Sequence, residues 1–250
     1  MLSLVLERKF KWYSLLVDEY NDKQFTVDRW FQFCDSVKRI TRLDLLLKIK
    51  GMDSLFAYFD GFLKLSAESK ERISASLEFE SLPKGTILWK AGQRCNNLYF
   101  IQSGLVRLFF YTEGGEETTV HFIAANKFVT DLESLNMHSP SAVSCVATTG
   151  YEVIVLKSTV LQTFNNEVYE WHELMRRITE KTLFDKIAIR NVLFQKEAKE
   201  RYLSFLELFP LVAIHAQANQ IASFLGVSQF TLSHIKKEIA DHHFLRNSKN

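Results

Sequence analysis

The spacing of apolar residues changes twice along the chain, and each change predicts a different kind of structure. Residues 53–80 carry apolar side chains at helical spacing, and a second helix is expected to begin near Ser66. From Ser81 to about Leu156, glycines separate short runs of β-branched and aromatic residues, a pattern that predicts a meander or jelly-roll barrel. The clearest hairpin is LVRLFFYTEGGEETTVHFI, with its turn at Glu113–Glu116.

A second helical pattern follows Ser158 and contains no proline or glycine as far as Phe209. Its apolar side chains form one stripe, which consists of Val168, Trp171, Leu174, Met175, Ile178, Leu183, Ile187 and Val192. The length of the stripe predicts one helix, from about Thr159 to Gln195, that packs against a second copy of the chain. The alternative is an ordinary helix that packs on the core of its own subunit.

The stretch QIASFLGVSQFTLSHIKKEI, residues 220–239, places two short helical patterns around Gly226. Gly226 is able to adopt the positive φ that ends a helix, and Ser228 is a suitable N-cap for the next one. A small core is expected from Ile221, Leu225, Val227, Leu232 and Ile235. This is the spacing of a helix-turn-helix, whose second helix binds in the major groove of DNA. The alternative is a plain helical hairpin.

Composition narrows the class of protein. At 250 residues, with 47% hydrophobic and 24% charged residues, the chain is an ordinary globular protein with room for two small domains. Its net charge of +2 is too small to indicate nucleic-acid binding by itself. No apolar run reaches the roughly 18 residues of a membrane span, and the first residues do not resemble a secretion signal. We therefore expect a cytoplasmic protein without a membrane partner.

No motif in the sequence indicates catalysis, a metal site or a cofactor. The cysteines, Cys34, Cys95 and Cys145, are scattered, which suits reduced buried thiols better than a disulfide framework or an iron-sulfur cluster. His121 and His138 are not spaced like the metal ligands of a cupin enzyme, and no P-loop, nucleophile-elbow or Rossmann pattern occurs. We predict a protein that is not an enzyme and holds no cofactor. Ligation of a haem by His121 or Cys95 is the less favoured alternative to the absence of a cofactor.

The order of barrel, long helix and helix-turn-helix resembles the Crp-Fnr family of bacterial transcription regulators over about residues 53–240. The motifs that carry this resemblance are NLYFIQSGLVRLFF, with a turn at Ser103–Gly104, and KERYLSFLELFP followed by QIASFLGVSQFTLSHIKK. The resemblance implies an α+β fold with an N-terminal cyclic-nucleotide-binding-like jelly-roll barrel, a long dimerisation helix and a C-terminal winged-helix-like helix-turn-helix domain. The expected boundaries are 52–158 for the barrel, 159–195 for the helix and 196–250 for the DNA-binding domain. Residues 1–51 fit neither pattern and are expected to be a helical extension, unless translation begins at Met52.

Cyclic nucleotide sensors of this family hold the phosphate with a Gly-Glu pair and, about ten residues on, an arginine followed by Ser or Thr and Ala. The matching segment here is NKFVTDLESLNMHSPSAVSCVA, in which Thr130, Asp131 and Leu132 are followed by Ser141 and Ala142. Ser141 or a neighbour replaces the arginine, and no arginine occurs between Arg107 and Arg176. Because losing a charge-assisted bond costs about 1.5–3 kcal/mol, we expect a degenerate pocket without useful cyclic AMP binding.

The resemblance implies DNA contacts along the second helix of the helix-turn-helix. The candidate residues are Ser228, Gln229, Phe230, Thr231, Ser233, His234, Lys236 and Lys237. Gln229, Phe230 and His234 replace charged residues of the family, so the preferred DNA sequence should differ from the usual one. We therefore predict a homodimeric regulator that binds double-stranded DNA, with RNA polymerase and a small-molecule effector of unknown identity as further candidate partners. The alternatives are a dimeric protein-interaction module, or a sensor of another ligand that no longer binds DNA specifically.

Overall fold

The computed structural model describes residues 48–194 and 196–247, with the side chains described as far as Asp241. The chain divides after Asp53 into two units, and the fold below is that of the second unit, Ser54–Asn250. Most of the predicted N-terminal extension, 1–51, lies outside the described residues. Helix α1 covers residues 48–60, and helix α2 covers Ala67–Ala75. The N–H of Ser69 donates to the Ser66 hydroxyl, which confirms the helix start predicted at Ser66.

Within the described residues, eight strands form the barrel. They are β1 (Glu78–Leu82), β2 (Ile87–Trp89), β3 (Asn97–Ser103), β4 (Leu105–Tyr111), β5 (Glu117–Ala124), β6 (Lys127–Val129), β7 (Ser144–Ala147) and β8 (Tyr151–Lys157). The first sheet has the order β1-β8-β3-β6 and the second the order β2-β7-β4-β5, and every strand pair is antiparallel. A short helix, α3 (Leu132–Met137), connects β6 to β7. The predicted barrel and its β4–β5 hairpin are confirmed.

Strands β3 and β8 bury side chains on both faces of the first sheet. Tyr99 and Ile101 point into the core between the two sheets, whereas Leu98 and Phe100 point outward into a second core. This second core also contains Phe59 and Ile73, which come from the helices α1 and α2 in that order. Strands covered on both faces have nearly continuous apolar sequences, which explains why NLYFIQS does not alternate.

The turn between β3 and β4 requires glycine. Gly104 has a φ of +88°, in the region that L side chains rarely adopt. A Cβ atom at this position would lie 2.5 Å from the carbonyl oxygen of Gly150 and 2.6 Å from the Cβ of Tyr151. The turn predicted at Ser103–Gly104 is therefore confirmed, and the close approach of the β7–β8 turn adds a second reason for glycine.

The single helix predicted over residues 159–195 is wrong, because two helices occupy this segment. Helix α4 covers Ser158–Glu167 and helix α5 covers Trp171–Phe194, and Val168 between them has an extended backbone. The break turns Phe164 and Trp171 toward each other, with ring centroids 4.9 Å apart, and buries both in the core outside the first sheet. No proline or glycine lies at this break, so no local residue signals it in the sequence.

The C-terminal helices cover the outer face of the second sheet. They are α6 (Ala198–Leu208), α7 (Pro210–His215), α8 (Ala218–Leu225) and α9 (Gln229–Asn247). A third core joins Leu105 and Phe122 of the barrel to Phe205 and Phe224 of the helices. The described residues after β8 form helices and no β wing. None of the helices in the described part of the chain is long and apolar enough to cross a membrane.

Candidate functional site

Asp131 and Ser141, two residues of the predicted ligand pocket, are hydrogen-bonded to each other. The Ser141 hydroxyl donates to Asp131 Oδ2 over 2.6 Å and accepts from the indole N–H of Trp89 over 3.1 Å. The other oxygen of Asp131 accepts from the N–H of Ser134 over 3.0 Å and so caps helix α3. Both side chains are therefore engaged in contacts within the barrel.

The other three predicted pocket residues do not join this pair. The Thr130 hydroxyl donates to the carbonyl of Asn97 over 2.9 Å, which holds it against β3. Ala142 is exposed. Leu132 lies on the outer side of α3, in an open groove of about 380 Å³ whose opposite wall includes Met175 and Arg176 of α5.

This arrangement does not suit a cyclic phosphate. A phosphate requires a cation or several free donors, whereas Ser141 is a neutral group whose hydroxyl already contacts Trp89, Asp131 and Val143. Its side chain is also buried, with 2% of its surface exposed. The nearest arginines in the sequence are Arg107 and Arg176. Arg107 is buried in an ion pair with Glu117, and Arg176 bonds to Glu173 and Glu180.

The turn, the helix cap and the small core of the helix-turn-helix are all formed in the structure. Gly226 ends α8 with a φ of 64°, and the N–H of Val227 donates back to the carbonyl of Ala222 over 3.0 Å. The Ser228 hydroxyl accepts from the N–H of Thr231 over 2.9 Å and caps α9. A side chain at Gly226 would meet its nearest atoms only at 3.9 Å, so the positive φ rather than lack of space requires glycine. The predicted small core is present, with Ile221, Leu225, Leu232 and Ile235 buried and Val227 partly buried.

Helix α6 supports the turn from the other side. Arg201 donates to the carbonyl of Leu225 over 2.7 Å and to the carbonyl of Lys196 over 3.1 Å. Lys199 forms an ion pair with Glu238 of α9 over 2.5 Å. The Arg201 bonds hold the end of α8 against α6, and the Lys199–Glu238 pair joins α6 to α9 at the surface.

The structure divides the eight predicted DNA-contacting residues into two groups. The hydroxyls of Ser228 and Thr231 lie 2.7 Å apart within the cap of α9, and the Lys236 ammonium lies 5.8 Å above the ring of Tyr202. These three side chains are engaged within the domain. The remaining five are exposed and project from α9: Gln229, Phe230, Ser233, His234 and Lys237.

Helix α8 binds directly to the edge of the barrel. Strand β5 is the last strand of the second sheet. The N–H of Thr119 donates to the Ser223 hydroxyl over 2.8 Å, and this hydroxyl donates to the carbonyl of Glu117 over 3.2 Å. Edge strands present unpaired backbone groups, so Ser223 takes the place of a neighbouring strand. The Glu117 carboxylate is held in turn by the buried Arg107.

An aromatic cluster completes the contact between the barrel and the helix-turn-helix. Phe224 lies at its centre, with ring centroids 5.4 Å from Phe122, 5.9 Å from Phe205 and 5.6 Å from Phe209. The imidazole of His121 lies 6.4 Å from the ring of Phe224. Burial in this cluster lowers the pKa of His121 from 6.5 to about 4, and the positive charges of Lys186 and Lys127 act in the same direction.

Sequence reasoning missed the residues that connect these parts. Trp89 and Ser223 form hydrogen bonds with residues that are distant in the sequence, and no local pattern indicates such a contact. Ser134 is different, because Asp131 as an N-cap with Glu133 in the first turn is a recognisable helix start just before it. That signal predicts the capping role of Asp131, which competes with a role in ligand binding.

Comparison with known proteins agrees with this architecture. Residues 79–167 match the family model of the cyclic nucleotide-binding domain, so the barrel and α4 have the sequence pattern of that domain. The described fold is similar to that of solved transcription regulators of the crp/fnr family, as the sequence resemblance predicted. No curated protein matches the sequence.

Three solved structures illustrate the likeness. FixK2 from Bradyrhizobium japonicum aligns with a TM-score of 0.57 at 16% identity, over 67% of this chain and 86% of its own. The c-di-GMP responsive global regulator CLP of Xanthomonas campestris aligns with a TM-score of 0.57 at 19% identity, over 71% and 93%. A protein assigned to the crp/fnr family from Eubacterium rectale has a TM-score of 0.57 at 17% identity, over 71% and 85%. At such identities the likeness establishes the fold alone.

We predict that cyclic AMP does not stabilise the protein, because the phosphate position offers a hydrogen-bonded serine instead of a guanidinium. A ligand present at about 100 times its Kd would add about 2.7 kcal/mol to the free energy of unfolding. Thermal unfolding with increasing cyclic AMP, and with 5′-AMP as the control nucleotide, measures this. Saturable stabilisation by cyclic AMP and not by 5′-AMP would contradict the degenerate pocket.

We predict that His121 makes stability depend on pH between 6.5 and about 4. The unfolded chain takes up a proton below pH 6.5, whereas the native His121 stays neutral until about pH 4, so stability falls as the pH falls through this window. The loss approaches about 1.4 kcal/mol per pH unit. Urea unfolding of the wild type and of His121→Gln across the window should show a shallower pH dependence in the variant. If the free energy of unfolding changed equally with pH in the wild type and in the variant, His121 would protonate as easily in the native protein as in the unfolded chain.

Proposed function

We propose that the protein is a homodimeric, DNA-binding transcription regulator of the Crp-Fnr type. The observation that carries this proposal is the exposed face of α9, which presents Gln229, Ser233, His234 and Lys237 from a helix-turn-helix with complete internal contacts. Polar and basic side chains at the amino end of a second helix suit the major groove of DNA. The proposed division of the chain is a sensor barrel at 52–158, a dimerisation segment at 159–195 and a DNA-binding domain at 196–250.

The DNA contacts divide by chemistry. Gln229 suits adenine, because its amide is able to pair with N6 and N7 together, and His234 offers a single ring donor or acceptor. Lys237 is exposed and suits a phosphate, which fixes position without selecting sequence. Lys236, above Tyr202, is a weaker candidate for the same role. Ser228 and Thr231 contribute by holding the first turn of α9 in shape.

The second half of α5 supports a dimer. Leu183, Phe184 and Ile187 are 55%, 65% and 47% exposed, although the first half of the same helix is buried at Trp171 and Leu174. An exposed apolar stripe on a helix suits a second copy of the same helix, as in other symmetric dimers. Two recognition helices related by a two-fold axis would then contact half-sites about one helical turn apart on a roughly palindromic operator.

The barrel is the proposed sensor, and two routes connect it to DNA. One route is α5, which packs on the first sheet through Trp171 and Leu174 and carries the proposed dimer contact about three turns further along. The other is the contact of Ser223 and Phe224 with β5. A change in the barrel that altered either contact would shift the relative position of the recognition helices. The proposed effector is a small molecule other than cyclic AMP. The same proposal places the protein in the cytoplasm, with RNA polymerase as a partner and without enzyme activity.

We predict that charges on α5 prevent the dimer. Leu183→Glu combined with Ile187→Glu places two carboxylates in the proposed interface, where they would be desolvated without partners. Sedimentation should give the mass of a dimer for the wild type and of a monomer for this variant. Tyr169→Glu, at a residue that is 97% exposed between α4 and α5, is the control and should remain dimeric. A monomeric wild type would contradict the dimer.

We predict salt-dependent binding to specific DNA. Fluorescence anisotropy on fragments from the protein's own upstream region and on random DNA, over a series of salt concentrations, measures both affinity and specificity. The wild type should prefer one fragment and should lose affinity steeply as salt increases, because phosphate contacts release counterions.

Variants of α9 separate base contacts from phosphate contacts. Gln229→Ala with His234→Ala should reduce the preference for that fragment more than the affinity for random DNA. Lys237→Ala should weaken both alike and reduce the salt slope by about 0.9 for each phosphate that the protein no longer neutralises. A wild type that binds no fragment at any salt concentration would favour the protein-interaction module instead.

A further inference from the structure

Phe230 is an unusual side chain for its position. Its exposed fraction of 82% exceeds that of every other large apolar side chain described in the C-terminal helices. It lies in the first turn of α9, immediately after the Ser228 cap and Gln229. Phe230 is not among the buried residues that α8 and α9 contribute to the core, so the core does not depend on its ring.

The surroundings of Phe230 are polar. Positions three, four and seven residues further along a helix share its face, and here they hold Ser233, His234 and Lys237, all exposed. The hydroxyls of Ser228 and Thr231 are bonded to each other in the cap. Phe230 therefore projects as a lone apolar group among hydrophilic side chains, at the end of the helix that the proposed function places against base edges.

We propose that Phe230 selects thymine in the operator through the 5-methyl group of that base. This inference rests on the proposed DNA-binding function. Thymine carries the only methyl group among the major-groove edges of the four bases, and an aromatic ring buries it favourably. A ring at the same place would cover the polar edge of cytosine or guanine without offering a hydrogen bond, which disfavours those bases. With Gln229 beside it, the amino end of α9 favours A·T pairs.

Replacement of thymine by deoxyuridine tests the inference, because deoxyuridine keeps the base pair and lacks only the methyl group. The probe is the fragment that the wild type binds most tightly, with one thymine at a time replaced in each half-site. For the wild type, at least one replacement should weaken binding about fourfold, the value expected for one apolar carbon buried. Phe230→Ala should bind the thymine and deoxyuridine fragments equally at that position, and Phe230→Leu should keep part of the difference.

Tyr169→Ala is the matched control, because it removes an exposed aromatic ring outside the helix-turn-helix and should keep the full, about fourfold effect of the wild type. Circular dichroism and thermal unfolding show whether each variant keeps its fold. Specific binding that no deoxyuridine replacement weakens, or an equal weakening in Phe230→Ala, overturns the role of Phe230 and leaves the DNA-binding function intact. A wild type that binds all fragments alike, or none, overturns both.

Discussion

Both sheets of the barrel carry apolar side chains on their outer faces as well as in the core between them, so each sheet must be covered by helices. Phe100 points outward from the first sheet, and Leu105 and Phe122 point outward from the second. A fully buried apolar side chain stabilises the fold by about 1.5–3 kcal/mol relative to an exposed one, and without helices these positions would face solvent. Helices α1, α2, α4 and α5 cover the first sheet, and the C-terminal helices cover the second.

This constraint makes the helix-turn-helix part of the barrel's own packing. Phe224 lies among rings from β5, α6 and the residue between α6 and α7, while Ser223 satisfies backbone groups on the edge of β5. Separation of the two parts would expose the cluster and leave these edge groups without their partner. Strand β5 of the β4–β5 hairpin therefore contacts α8 directly, and a short turn separates α8 from α9.

The barrel pocket and the helix-turn-helix differ in how their predicted functional residues are arranged. In the barrel, the Ser141 hydroxyl bonds to Asp131 and to Trp89, and no guanidinium takes part in these contacts. In the helix-turn-helix, the turn, cap and core are all present, and Phe230 and His234 lie at exposed positions outside them. Substitutions at exposed positions away from caps and the core usually have little effect on stability, so these side chains are not needed to hold the motif together.

Local features were predictable because they depend on residues a few positions apart. The cap at Ser66, the glycine turn at Gly104, the β4–β5 hairpin and the turn from Gly226 to Ser228 all follow from the amino-acid sequence. The break at Val168 did not follow, because it depends on Phe164 and Trp171 packing against a distant sheet. Nor did the contact of Ser223 with Glu117, whose partners are 106 residues apart. The sequence by itself determined the elements and their order; tertiary packing decided which part of each apolar stripe is buried and which polar groups remain free, since burial is a property of distant neighbours.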